Sequence, residues 1–186
     1  IEEEDPKSES EAKRIYREEL YEDINSVSSG GRTFILLVIL SAFVAAIGLL
    51  RANVAIIIGA MVIAPLLGPN MGMALAATLG DSALAKRALK TTFTGIVVAL
   101  TIAIALGWFA DVDNINLEIA SRLHVNYADF VLALASGAAG ALAFTSGAPG
   151  SLIGVMVAVA LLPPLMVFGL LVGDGQFQTS LGALLL

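Results

Sequence analysis

Residues 57–72 read I-I-G-A-M-V-I-A-P-L-L-G-P-N-M-G, and residues 152–167 read L-I-G-V-M-V-A-V-A-L-L-P-P-L-M-V. An offset of 95 residues lays one on the other, matching Gly59 with Gly154, Met61 with Met156, Val62 with Val157, and Leu66 and Leu67 with Leu161 and Leu162. The same offset matches Pro69 with Pro164, Met71 with Met166, Leu75 with Leu170 and Gly80 with Gly175. Leu, Val and Ala match easily by chance in such a sequence, so the Pro, Met and Gly positions carry the argument. A duplicated apolar unit with a helix interrupted in each copy points to a transporter-type binding site.

Working outward, the chain of 186 residues is 58% hydrophobic and 14% charged. Several uncharged windows reach the roughly 20 residues a helix needs to cross about 30 Å of hydrocarbon. Lipid offers backbone groups no partner, so such segments must be helices. The expected fold is therefore all-α: a polytopic transmembrane helical bundle with two Pro/Gly-interrupted helices. The first span is expected at about 34–50, the second from about Asn53 to Leu79, the third at 88–109, the fourth at 127–144 and the fifth at 149–172. A sixth begins near Phe177 and has too few residues before Leu186 to cross, so it is expected to continue beyond this sequence. The opening Ile1 likewise fits a piece of a longer protein.

Spans one to three map onto spans four to six, repeat one covering about 34–110 and repeat two about 127–186. Three crossings per unit is odd, so the second copy is expected upside down, as an inverted repeat.

The formal net charge of -6 is concentrated at the start. Residues 1–25 hold ten acidic side chains against Lys7, Lys13, Arg14 and Arg17, and the rest balances at six of each sign. Residues 1–31 thus read as a separate acidic cytoplasmic arm, with Tyr16, Leu20, Ile24 and Val27 at helical spacing on an amphipathic helix. It is a solvated linker or the seat of a soluble partner. The transmembrane domain is 32–186. Lys13, Arg14, Arg17 and Arg32 before span one, and Lys86, Arg87 and Lys90 in a charged turn before span three, place both ends in the cytoplasm, with Arg51 dissenting. Trp108 and Phe109 suit an interfacial belt. The acidic loop from Asp111 to His124 then lies outside. No basic stripe for nucleic acid is present. No cleavable signal is visible before Phe34, and with no cysteine, thiolate metal sites and thiol nucleophiles are excluded.

The candidate site residues follow from the interruptions. A proline has no N–H and crowds the preceding turn, freeing a carbonyl four residues upstream. Pro65 and Pro69 do this in span two, loosened further by Gly68 and Gly72, and Pro163 and Pro164 do it in span five. One such site is commonly a plain kink; two matched ones favour a binding site. Asn70 is the amide at membrane depth, either coordinating a solute or capping a half-helix, and the matching Leu165 makes any site asymmetric there. Ser41 and Ser136 match under the offset. They serve close packing, as Ser136-x-x-x-Gly140 implies, or face a pathway. Thr91, Thr92, Thr94 and Thr101 are expected to bond back to their own helix.

No ionisable residue is expected deep in a span, which weighs against proton coupling and voltage sensing. His124 sits in a polar loop. No H-E-x-x-H is present and Ser136 has no activating histidine, so no enzyme activity, metal or cofactor is expected. The expected function is a membrane carrier for a small solute or ion, with a channel or a non-transporting scaffold or sensor as alternatives. Small-residue faces also permit a homo-oligomer.

Asn53, Ile58, Gly59, Ala60, Met61, Ile63, Ala64, Pro65, Leu66, Gly68 and Pro69 resemble the signature of a prokaryotic family of uncharacterised hydrophobic membrane proteins, domain of unknown function 389. Pro149 and Gly150, followed by Val157, Ala158, Val159, Ala160, Leu161, Pro163, Pro164 and Leu165, resemble its second signature. The resemblance covers residues 30–186. It implies a multi-pass bacterial or archaeal inner-membrane protein, sometimes with an extra soluble domain, and it implies no substrate.

Overall fold

A computed structural model describes residues 30–110, 127–146, 150–176 and 179–180. The arm helix and the acidic loop expected from the sequence lie outside these residues. The described residues form six helices and no strand: α1 (Arg32–Leu50), α2 (Val54–Ile63), α3 (Leu67–Leu79), α4 (Ser82–Phe109), α5 (Tyr127–Thr145) and α6 (Gly150–Gly173). By length and composition α1, α4 and α6 can each cross a membrane, and α2 with α3 makes a fourth candidate if the bent pair is one span.

Small residues make up much of the buried face of two helices. On α1 Ser41, Ala42, Ala45, Ala46 and Gly48 are buried together with Phe34, Val38 and Leu49, while Leu36, Leu40, Phe43 and Ile47 are exposed. On α4 the buried face is Leu84, Ala88, Thr91, Gly95, Ala99, Ala103 and Gly107, and Leu89, Phe93, Ile96 and Val97 face out, Phe93 being 65% exposed. Lipid is as apolar as leucine, so nothing drives large side chains inward; small ones go inside because they let backbones approach.

Polar caps fix the helix starts. Asn53 caps α2, its side chain accepting a hydrogen bond from the Ile56 amide at 3.2 Å. Asp81 caps α4, accepting from the amides of Ala83 at 2.9 Å and Leu84 at 3.0 Å. Two capped donors are worth on the order of 1 kcal/mol to a helix start. The charged turn expected before span three is therefore helix: Lys86, Arg87 and Lys90 occupy its first turns. A helix of 28 residues is about 42 Å long at 1.5 Å per residue, long enough to carry its charged start beyond the hydrocarbon. The turn itself is Gly80, at φ 68°, a left-handed conformation glycine adopts without strain. Its offset partner Gly175 has φ 85°.

The duplication reappears in the helix bounds. An offset of 95 residues carries Arg32–Leu50 onto Tyr127–Thr145, the limits of α5. It carries the outer limits of the α2–α3 pair to within a residue of those of α6.

Close contacts fix the helix directions. The Gly30 amide donates to Thr91 Oγ1 at 3.2 Å, and a Cβ built on Gly95 would lie 3.1 Å from Phe34 Cζ. The numbering rises together on both helices, so α1 and α4 are parallel. A Cβ on Gly169 would overlap Ala103, one on Gly173 would overlap the Ile104 carbonyl, and one on Gly107 would overlap the Leu170 carbonyl. Hence α4 and α6 are also parallel, backbone against backbone. The α2–α3 pair returns the chain from the end of α1 to the start of α4. Helix α6 packs against all five others and is the centre of the bundle.

Gly107→Ala or Gly173→Ala forces these backbones apart and is expected to cost about 1–3 kcal/mol, as overpacking does. Gly137→Ala on α5, where the added Cβ meets nothing within 4 Å, should be stabilising by at most ~1 kcal/mol through helix propensity. Unfolding in mild detergent checks both.

Candidate functional site

The first interruption lies at residues 64–66. A residue before proline is pushed out of the α region by the proline ring, and Ala64 sits at φ -63°, ψ 121°, extended. Helix α2 ends at Ile63 for that reason, and α3 starts again at Leu67, bent 56° from it. Pro65 has no N–H to give the Met61 carbonyl. Leu66 turns its amide to the Ala64 carbonyl at 2.9 Å. Pro69 is the third residue of α3, where a helix has no carbonyl to offer its amide. It is tolerated there and does not cause the break.

Asn70 holds the new start together. Its Nδ2 donates to the Leu66 carbonyl at 2.8 Å and its backbone amide to the same carbonyl at 3.4 Å. The side chain therefore ties one of its two N–H donors to the first turn of α3. Gly68 and Pro69 are buried, and Pro65 and Asn70 are half-buried.

The second interruption expected from the sequence is absent: α6 runs unbroken through Pro163 and Pro164. Under the offset the residue matching Pro65 is Ala160, a strong helix former, and the matched pair Pro69/Pro164 is not the pair that breaks a helix. Burial supports the continuous helix as well, with Leu162, Pro163, Met166, Val167, Leu170 and Leu171 enclosed by neighbours. The Val159 and Ala160 carbonyls still lose the donors that Pro163 and Pro164 lack.

The structure brings the break and the middle of α6 together. Ala60, Met61 and Ala64 share one buried cluster with Ala158, Leu162 and Met166, and a Cβ on Gly154 would lie 3.6 Å from Leu67 Cβ. Ser41 is buried on α1, its hydroxyl donating to the Val38 carbonyl at 3.0 Å, and so serves packing. Ser136 is half-buried on α5, which packs mainly on α6. Thr92, Thr94 and Thr101 bond back to Ala88, Lys90 and Val97. Thr91 Oγ1 accepts from the amide of Gly30, just before α1. Sequence reasoning missed the α4 seam, although Thr91, Gly95, Ala99, Ala103 and Gly107 recur every fourth residue. Among the described residues no group of three His, Cys, Asp or Glu could hold a metal.

Three helices long and apolar enough to cross a membrane, with large apolar side chains such as Leu36, Leu40, Leu89 and Phe93 exposed, are those of a helical membrane protein. The chain belongs to the family described as domain of unknown function (DUF389), whose model matches residues 61–186. An uncharacterized protein of Methanocaldococcus jannaschii is 39% identical over all 186 residues of the chain. The chain spans 58% of that relative's length. No solved structure matches the chain significantly.

Pro65→Ala returns a donor to Met61 and frees Ala64 to be helical. Spin labels at residues 55 and 77 are expected to move about 4 Å apart as α2 and α3 straighten, by the length of two helical arms; an unchanged distance would show that packing alone holds the bend.

Proposed function

We propose that the chain forms the membrane domain of a carrier for a small solute or ion, with its site where the α2–α3 break meets Pro163 and Pro164 of α6. The observation carrying this is a helix broken inside an apolar bundle against an offset-related helix whose prolines free further carbonyls. Irregular backbone at membrane depth is tolerated where it is enclosed by protein or lines a pathway, and transporters place solute sites at such half-helix ends.

The helix directions support an inverted repeat. Helix α6 runs parallel to α1 and α4, hence opposite to the α2–α3 pair that is its offset counterpart. The parallel pairing of α1 and α4 also gathers Arg32, Lys86, Arg87 and Lys90 at one end of the bundle, which supports a cytoplasmic N-terminus in a prokaryotic inner membrane. No catalytic step is part of this reading.

Reconstituted protein should speed the entry of at least one probe from a panel of alkali chlorides, neutral amino acids and small sugars into vesicles, followed by light scattering and a potential-sensitive dye. The double variant Asn70→Leu/Pro69→Ala should slow that entry at least about tenfold, roughly 1.4 kcal/mol of lost stabilisation. Equal flux in the variant would remove the site assignment, no flux above empty vesicles would remove transport, and discrete single-channel currents would replace a carrier with a channel.

A further inference from the structure

We infer that the basic end of the bundle is a docking surface for an acidic stretch of the same chain, residues 18–23, which lie outside the described residues. The surface comes from two helices. Arg32 opens α1, Lys86, Arg87 and Lys90 follow the first turn of α4, and all four are exposed. No other charged side chain lies on either helix. The Gly30 amide meets Thr91 Oγ1 at 3.2 Å, and Phe34 lies against Gly95. Arg32 therefore stands at the level between Thr91 and Gly95, next to Lys90.

On α4 the cations crowd one another. Lys86 and Lys90 are four residues apart and Arg87 and Lys90 three, spacings at which side chains are neighbours and like charges repel. The acid at this end, Asp81, has its Oδ1 on the amides of Ala83 and Leu84. An anionic partner laid across the two helix ends relieves the repulsion.

Charge and reach select the occupant. Glu18, Glu19, Glu22 and Asp23 follow Arg17, and no basic residue comes between them and Arg32. Four negative side chains thus face four positive ones. Asp23 is seven residues before Gly30, which is fastened to α4 one residue from Lys90. Seven extended residues reach about 24 Å, and Lys86 lies only about 7.5 Å along the helix axis from Thr91. Attachment through so short a joint holds the acids at a millimolar effective concentration. Exposed ion pairs are weak singly and count as a network. A free anionic headgroup meets the same cations without that attachment.

The test is a distance between two spin labels, one at Tyr21→Cys and one at Ala83→Cys, in a chain with no cysteine of its own. The protein is held in nanodiscs of neutral phosphatidylcholine. At about 0.1 M salt one narrow distance is expected, and at about 1 M salt, where the Debye length falls from about 10 Å to about 3 Å, it should broaden at least about twofold. A released arm then spreads as a coil does, by roughly 5–6 Å times the square root of its residue number. Lys86→Glu/Arg87→Glu/Lys90→Glu should broaden it at low salt, as should Glu18→Lys/Glu19→Lys/Glu22→Lys/Asp23→Lys, and the two sets combined should restore the narrow distance. A broad wild-type distribution at low salt, or a narrow one that either charge reversal leaves intact, would overturn the proposal. Release of the wild-type arm when phosphatidylserine replaces part of the phosphatidylcholine would give the surface to lipid headgroups instead, and would overturn it too.

Discussion

The contact on which the rest of the bundle depends is the parallel packing of α4 on α6. Gly107, Gly169 and Gly173 lie where a single Cβ would strike the facing helix. At that separation the backbones themselves touch, and dispersion between them replaces the hydrophobic drive that lipid cannot supply. With α6 fixed against α4, its other faces receive α1, α2, α3 and α5. The break lies in the same arrangement, since α2 packs on both α1 and α6 and Ala60, Met61 and Ala64 belong to the buried cluster that includes Ala158 and Leu162.

The two segments related by the 95-residue offset differ around their prolines. Each carries a Pro at the position of Pro69 and Pro164, and neither of these ends a helix. In the first copy Pro69 falls in the opening turn of α3, where its missing donor matters least. In the second, Pro164 sits with Pro163 inside a helix that packs on all five others, and the helix continues despite the loss of about 3 kcal/mol or more that an interior proline costs. The helix ends where Pro65 forces Ala64 into an extended conformation, and the second copy has Ala160 there instead. The offset segments match in helix bounds and in the left-handed glycines Gly80 and Gly175, and differ where the candidate site lies.

Much of the architecture is legible in residues 30–180. The apolar runs place α1, α5 and α6 within a few residues of their limits, because a spanning helix is set by local composition and backbone satisfaction. Asn53 and Asp81 mark the starts of α2 and α4 by local capping. The start of α4 is missed because charge reads as a turn, whereas a long helix can extend past the hydrocarbon with Lys86, Arg87 and Lys90 on it. The site is less legible. Pro65, Pro69, Pro163 and Pro164 are equivalent as letters, and only their places within a turn and a packing environment separate the breaker from the tolerated ones. Asn70 leaves capping and coordination open in sequence; in the structure it caps nothing, its Nδ2 donating instead to the Leu66 carbonyl four residues back.

By itself the sequence determined an all-α, apolar chain with acidic residues concentrated at its start, because length, hydropathy and charge are properties of local segments. Only the tertiary structure decided that α1, α4 and α6 run parallel, that glycines weld α4 to α6, and that one proline-bearing segment breaks while its counterpart does not. Those outcomes depend on which neighbours enclose a helix and on what a missing Cβ lets approach it.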